Sequence, residues 1–366
     1  MKMRIVIACG GTGGHLFPGV AVAEELQRRG HDTLLLVSQK QIDQTALAGR
    51  DDLKSRALPA IGWPGFFTPR LFTFFSRLWQ TRSQIRQLFK EYQPGAVLGM
   101  GGFTSAVPLW EARQSGIPSY IHESNAIPGR VTRLFARLVD KVLVGFRRCA
   151  EALTQARCAV TGTPVRSSLK VIPRAEAAEK FGLDPSLKTL LITGGSQGAR
   201  GVNRVVCETL PRWQDHRESW QFVHLPGEAD EAEVVEAYKK QNFRVVVAAF
   251  SSKMAELYSL SDLVISRSGA SSLTELSHYH LASILIPYPT AADDHQTANA
   301  RIYEEAGAAV VHAQEGLTPD LLDKSVRHLL GDEEKLAEMK RAAGSLGVPD
   351  AAARVANEIE RAKVGA

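Results

Sequence analysis

Three glycine-rich turns carry the chemistry that this sequence offers. The first, Gly10-Gly11-Thr12-Gly13-Gly14-His15, follows an apolar run and precedes a helical pattern. Glycine permits positive φ and lets a backbone come close to a ligand. A helix N-terminus adds unspent N–H groups and partial positive charge, which suits phosphate. The second turn, Gly194-Gly195-Ser196-Gln197-Gly198-Ala199, follows Leu190-Leu191-Ile192-Thr193. The third, Ser266-Arg267-Ser268-Gly269-Ala270-Ser271-Ser272, follows Leu263-Val264-Ile265 and opens a helix bearing Glu275. A carboxylate placed there could reach both hydroxyls of a ribose. The plainer alternative makes each turn a strand–helix connection and Glu275 a solvated helix residue. Three such turns, with one opening each half of the chain, favour a phosphate-bearing ligand and a second, separate substrate. A nicotinamide dinucleotide fits poorly. The spacing is not GxGxxG, His15 would crowd a pyrophosphate, and Val37-Ser38-Gln39-Lys40 lacks a ribose-binding acid.

Metal chemistry has little to work with. Asp293, Asp294 and His295 are adjacent, and adjacent residues rarely converge on one ion. The four cysteines, Cys9, Cys149, Cys158 and Cys207, form no CxxC pair, and free thiols in a reducing cytoplasm are expected.

The turns need strands to hold them. Candidates in the first half are 4–9, 33–37, 96–98, 119–122 and 141–144; in the second half they are 189–193, 221–224, 245–248, 263–265 and 283–286. Most are apolar without alternation, as in a parallel sheet covered on both faces. Helical stretches lie between them, such as 18–29 and 199–210. This is a doubly wound α/β pattern repeated twice. A length of 366 residues suits two domains. We expect an N-terminal domain over 1–165, a second domain over 166–348 after the Gly162–Pro173 interruption, and a terminal helix within 349–366 that packs back on the first domain. The first strand begins almost at Met1, so no signal peptide is expected, and no run of about 18 apolar residues suggests a membrane span.

Charge is uneven. The net charge of +5 divides into +10 for residues 1–165 and −5 for the rest. A basic half suits nucleic acid, phospholipid head groups or a pyrophosphate substrate without choosing among them. Within 63–90 lie Trp63, Phe66, Phe67, Phe72, Phe74, Phe75, Trp79 and Phe89, with Arg70, Arg77, Arg82, Arg86 and Lys90 and no acid. A second cluster, Arg130, Arg133, Arg137 and Lys141, flanks Leu134, Phe135 and Leu138. Apolar area with positive charge suits an anionic membrane surface; packing on a sheet is the alternative.

Taken together, the motifs GGTGGHLFP (10–18), LGMGGFTS (98–105), HESNAIPG (122–129), GTPVR (162–166), GGSQGA (194–199), RSGASSLTE (267–275) and DHQTANA (294–300) resemble the MurG family of N-acetylglucosaminyltransferases. The chain departs from that family's pattern at Ser124, at Thr163 and around 62–65. The resemblance implies a GT-B fold, two Rossmann-like domains facing across a cleft. It implies an inverting transfer of N-acetylglucosamine from UDP-N-acetylglucosamine to lipid I in peptidoglycan synthesis, and through it cell shape and division. The enzyme would work at the cytoplasmic face of the bacterial inner membrane as a peripheral protein, with no nucleic acid partner and no cofactor. It also implies roles for residues. Thr12, Gly13 and Gly14 would lie at the cleft and Asn125 would touch sugar. Arg166 and Ser196 would meet the donor diphosphate, while Phe250 and Ser251 would hold uracil. Ala270, Ser271, Ser272, Leu273 and Thr274 would hold the diphosphate, Glu275 the ribose and Gln296 the sugar hydroxyls.

Such a reaction needs a base for the attacking hydroxyl and stabilisation for the departing diphosphate. An imidazole titrates near neutral pH, so His15 is the candidate base, with Glu123 as the alternative and a loop-holding role as the structural reading of His15. Oriented N–H groups at a helix start can stabilise the leaving group, and the chain has no DxD sequence to recruit a metal. A nucleotide-sugar 2-epimerase and a non-catalytic binding protein are the rival readings.

Overall fold

In this computed structural model, residues 2–40, 43–44, 47–59, 70–195 and 198–361 are described, the side chains of 70–75 excepted. The chain divides into two compact units, residues 1–167 with 348–366, and residues 168–347.

The first unit holds parallel strands β1 (Arg4–Ala8), β2 (Asp32–Ser38), β3 (Ser55–Leu58), β4 (Ala96–Gly99), β5 (Ser119–Glu123), β6 (Lys141–Val144) and β7 (Cys158–Val160). Their order is β3-β2-β1-β4-β5-β6-β7. Side chains alternate across a strand. On one face Ile5, Ile7 and Cys9 join Leu35 and Leu98, under Leu16, Val20 and Leu26 of the helix Gly13–Arg28. On the other, Val6 and Ala8 join Ile85, Leu88 and Phe89 of the helix Arg70–Tyr92. Both faces are covered, so the strand is apolar from Ile5 to Ala8. The helix Ala351–Arg361 adds Val355, Ala356 and Ile359 to the first face. It is tied there by Glu358 to Lys141 (2.6 Å) and by Glu360 to Arg29 (2.7 Å) and His31 (2.8 Å).

The second unit repeats the plan with β8 (Lys188–Thr193), β9 (Trp220–Leu225), β10 (Val245–Val247), β11 (Leu263–Ser266), β12 (Ala282–Leu285) and β13 (Ala309–Val311). Their order is β10-β9-β8-β11-β12-β13, all parallel. The two Rossmann-like units make this a GT-B α/β protein. In each unit the strand order reverses beside the first strand, between β1 and β4 and between β8 and β11. Ligands of doubly wound sheets bind at the carboxyl ends of strands at such a reversal.

Two sequence expectations need correction. The first helix starts at Gly13, not Pro18, so the glycine turn is itself the helix's first turn and Pro18 lies inside it. Proline commonly marks a first helical position, which misplaced the boundary. The strands β3, β7 and β13 went unread. Each is short and lies at a sheet edge, so none needs the apolar run that marks a central strand.

Candidate functional site

The switch point of the first unit gathers the predicted loop residues. Gly10–His15 leaves β1, Met100–Gly102 leaves β4 and Glu123–Asn125 leaves β5, three neighbouring strands. Thr12 is the N-cap of the Gly13–Arg28 helix, yet its side chain does not cap it. The Thr12 hydroxyl instead meets Nδ1 of His15 at 3.1 Å. The imidazole lies against the β4 turn. A Cβ on Gly102, at φ +66°, would come within 3.0 Å of His15 Cε1, so that position needs glycine both for its backbone and for the ring.

Glu123 is buried, and both its oxygens are spent. Oε1 accepts from the Asn125 backbone N–H (3.1 Å) and side-chain amide (3.0 Å); Oε2 accepts from Gly129 N–H (2.9 Å) and the Thr132 hydroxyl (2.7 Å). Four accepted bonds make it the support of the 123–132 loop and of Asn125, a poor arrangement for a base. Beside it the fully buried His122 donates from Nε2 to Gly162 O (2.9 Å), and burial pushes its pKa down. Arg166 stacks its guanidinium 4.0 Å over the Phe17 ring, beside the first turn's helix.

The second unit gathers the other predicted residues at the carboxyl end of its sheet. Gly194 and Gly195 leave β8, and Gly198 N–H closes the turn on Gly195 O at 3.2 Å; Ser196 lies outside the described residues. Across the β8–β11 switch, the helix Ala270–His278 begins after Gly269 with no side-chain cap. Its first N–H groups, at Ala270, Ser271 and Ser272, face an end of the helix that a phosphate suits. Leu273 is buried in the core, and the Thr274 hydroxyl is spent on Ala270 O at 2.9 Å. Glu275 is half-buried, with Oε2 accepting from the Tyr258 hydroxyl at 2.9 Å. Gln296 is drawn to the same turn: its carbonyl accepts from Ser268 Oγ (2.8 Å), and its side-chain oxygen accepts from Tyr288 N–H (2.9 Å). That second bond orients the amide so that its NH2 group is the part able to donate to a hydroxyl. Phe250, 62% exposed, and Ser251 follow β10. Their segment is held by Ala249 N–H on Glu231 Oε1 at 2.9 Å. Asp294 takes the Thr297 hydroxyl and His295 the Ala292 carbonyl. Among the described residues no group of three or more His, Cys, Asp or Glu side chains could hold a metal ion.

Sequence reasoning missed several supports. Arg267 is buried with Nη1 on Ile286 O and Pro287 O (3.0 Å each) and Nη2 on Gln314 Oε1 (2.6 Å). Asp43, Lys40 and Thr104 hold the first turn from segments distant in sequence. Arg267 and Thr104 sit inside quoted motifs; Asp43 and Lys40 carry no local signal.

The glycosyltransferase family 28 N-terminal domain matches residues 5–144, and the family 28 C-terminal domain matches residues 189–355. A protein of Geobacter metallireducens, the UDP-N-acetylglucosamine–N-acetylmuramyl-(pentapeptide) pyrophosphoryl-undecaprenol N-acetylglucosamine transferase, is 34% identical over 99% of both chains. Its namesake in Gloeobacter violaceus is 37% identical over 97% of both. Among solved structures, MurG of Acinetobacter baumannii aligns with a TM-score of 0.76 and 27% identity over 99% of this chain and 100% of that one. The UDP-GlcNAc 2-epimerase of Neisseria meningitidis, solved with UDP-GlcNAc bound, aligns over 99% of this chain and 100% of that one, with a TM-score of 0.70 and 15% identity, a likeness of fold.

Proposed function

The chain belongs to the MurG group of glycosyltransferase family 28, and on that premise we propose that it moves N-acetylglucosamine from UDP-N-acetylglucosamine to the 4-hydroxyl of the muramyl sugar of lipid I, giving lipid II. The observation that carries this reading is the uncapped helix start at Ala270 with Glu275 in its second turn and Gln296 tied to the same loop.

The second unit holds the donor. Phe250 and Ser251 take the uracil, Glu275 the ribose hydroxyls, the N–H groups of Ala270 to Ser272 with Ser196 the diphosphate, and Gln296 the sugar. The first unit brings Thr12 to His15, Asn125 and Arg166. The acceptor oxygen forms its bond to C1 of the sugar as the bond from C1 to the diphosphate oxygen breaks. The electron pair leaves with UDP, where helix N–H groups meet the growing charge without reorganising. With the Nδ1 hydrogen on Thr12, Nε2 of His15 takes the hydroxyl proton. Glu123 acts through Asn125, as a positioning residue.

The enzyme meets a membrane-anchored acceptor at the cytoplasmic face of the inner membrane, as a peripheral protein. Leu78, Trp79, Phe103, Trp110 and Leu134 are exposed on three helices that pack in series, with Arg77, Arg133 and Arg137 exposed among them. These support an anionic lipid surface as the docking partner. No helix among the described residues is long and apolar enough to cross a membrane.

Assayed with a polyprenyl-linked muramyl acceptor, the protein releases UDP from UDP-N-acetylglucosamine, and without acceptor it does not. Conversion of the donor to its 2-epimer in the absence of acceptor would replace this reading with the epimerase one. Glu275→Ala weakens donor binding by about 1.5–3 kcal/mol, the range for a hydrogen bond to a charged group. Unchanged affinity by calorimetry, in a folded variant, would remove Glu275 from the donor site.

A further inference from the structure

We propose that Asp43, together with Lys40, is a positioning residue that clamps the Gly11 peptide and thereby fixes the turn bearing Thr12 and His15. This rests on the reading of that turn as part of the reaction site. Asp43 is fully buried beneath the turn. Its Oδ2 accepts from Gly11 N–H (2.8 Å), from Ser38 N–H (2.8 Å) and from the Ser38 hydroxyl (2.6 Å). Its Oδ1 is buried without a hydrogen-bond partner. Burying a carboxyl with one oxygen unspent is costly, and a shorter polar residue could close the turn after β2 without that cost. The reach across to Gly11, 32 residues away, is what the carboxyl adds.

The neighbouring residues fit this reading. A Cβ on Gly10 would lie 2.1 Å from Ser38 N and 2.7 Å from Oδ2, so the end of β2 and the carboxyl together fill the space beside Gly10. Gly11 stands at φ +109°, one of many conformations open to glycine, so its backbone does not hold the turn by itself. Side chains remove that freedom. Asp43 holds the Gly11 N–H, Lys40 Nζ holds the Gly11 carbonyl at 3.0 Å, and Thr104 Oγ1 holds the Gly10 carbonyl at 2.9 Å. The Gly11 N–H is therefore spent inside the protein, not offered to a phosphate. The first turn works as a clamped platform ahead of its helix start. The next residues on that platform are Thr12 and, three further on, its partner His15.

The test uses the full chain with UDP-N-acetylglucosamine and a polyprenyl-linked muramyl acceptor. A catalytic group displaced by about an ångström loses on the order of 10²-fold, so Asp43→Ala should lower kcat by about 10- to 100-fold. Affinity for UDP alone, read by calorimetry, should not change. Asp43→Asn keeps an acceptor for Gly11 and should recover most of the turnover. Lys40→Met changes an exposed residue and should give a smaller loss with no change in melting temperature. In a His15→Ala background, Asp43→Ala should add little, because both act on one element. Wild-type kcat in folded Asp43→Ala overturns the proposal, as does full additivity with His15→Ala. If Asp43→Ala does not fold, wild-type kcat in Lys40→Met overturns it. Should His15→Ala alone keep normal kcat, the base assignment fails, and the kcat of Asp43→Ala still decides the clamp.

Discussion

His15→Ala lowers kcat by roughly 10²–10⁴-fold, the usual contribution of a positioned acid–base group, while donor affinity changes little. The imidazole is held on two sides. Thr12 meets Nδ1 at 3.1 Å, and the β4 turn provides glycines where any Cβ would press on the ring. A base so held loses little entropy at the moment of proton transfer. Glu123, the other candidate, has four hydrogen bonds to accept and no oxygen to spare. Glu123→Ala is therefore expected to disturb Asn125 and its loop. Steady-state kinetics with saturating acceptor distinguishes the two roles: a His15→Ala enzyme with near-normal kcat would send the search for the base elsewhere.

Replacing Arg77, Arg133 and Arg137 together by Gln reduces binding to anionic vesicles by about 3 kcal/mol, more than 100-fold, since each basic residue near an anionic surface contributes about 1 kcal/mol. UDP binding is unaffected. Adding Trp79→Ser, which removes an aromatic that is 67% exposed, deepens the loss. The choice of arginines comes from the structure. Arg82 and Arg86 both pair with Glu111, a carboxylate only 1% exposed, so removing Arg82 would disturb a buried charge in addition to any effect at a lipid surface. Likewise Ile85, Leu88 and Phe89 of the 63–90 stretch lie in the core beneath the sheet. Residues 63, 66 and 67, and the side chains of 70, 72, 74 and 75, lie outside the described residues. Liposome flotation at low salt is the measurement; equal recovery of variant and wild type rejects this face as the docking surface.

Central strands and glycine turns were legible in the sequence because their causes are local. A strand covered on both faces must be apolar at every position, as Ile5 to Ala8 and Leu190 to Ile192 are. A turn that leaves such a strand and opens a helix needs glycine where the backbone doubles back. Those two rules located β1, β8 and β11 and the loops after them, and the order of the motifs carried the resemblance. The edge strands β3, β7 and β13 were not legible, because a strand with one neighbour and a wet side needs no such composition; β10, also at an edge, was legible through its valine run. The order of strands, and with it the reversal that sets the turns after β1 and β4 side by side, depends on contacts across the chain. The same holds for the roles of individual charges. Glu123 draws its four donors from residues 125 to 132, yet only the folded loop turns them onto it; nothing near Arg82 announces Glu111, and nothing near Asp43 announces Gly11. A carboxyl's chemistry depends on which donors surround it and how much water it keeps, and only the folded chain brings those donors and excludes that water.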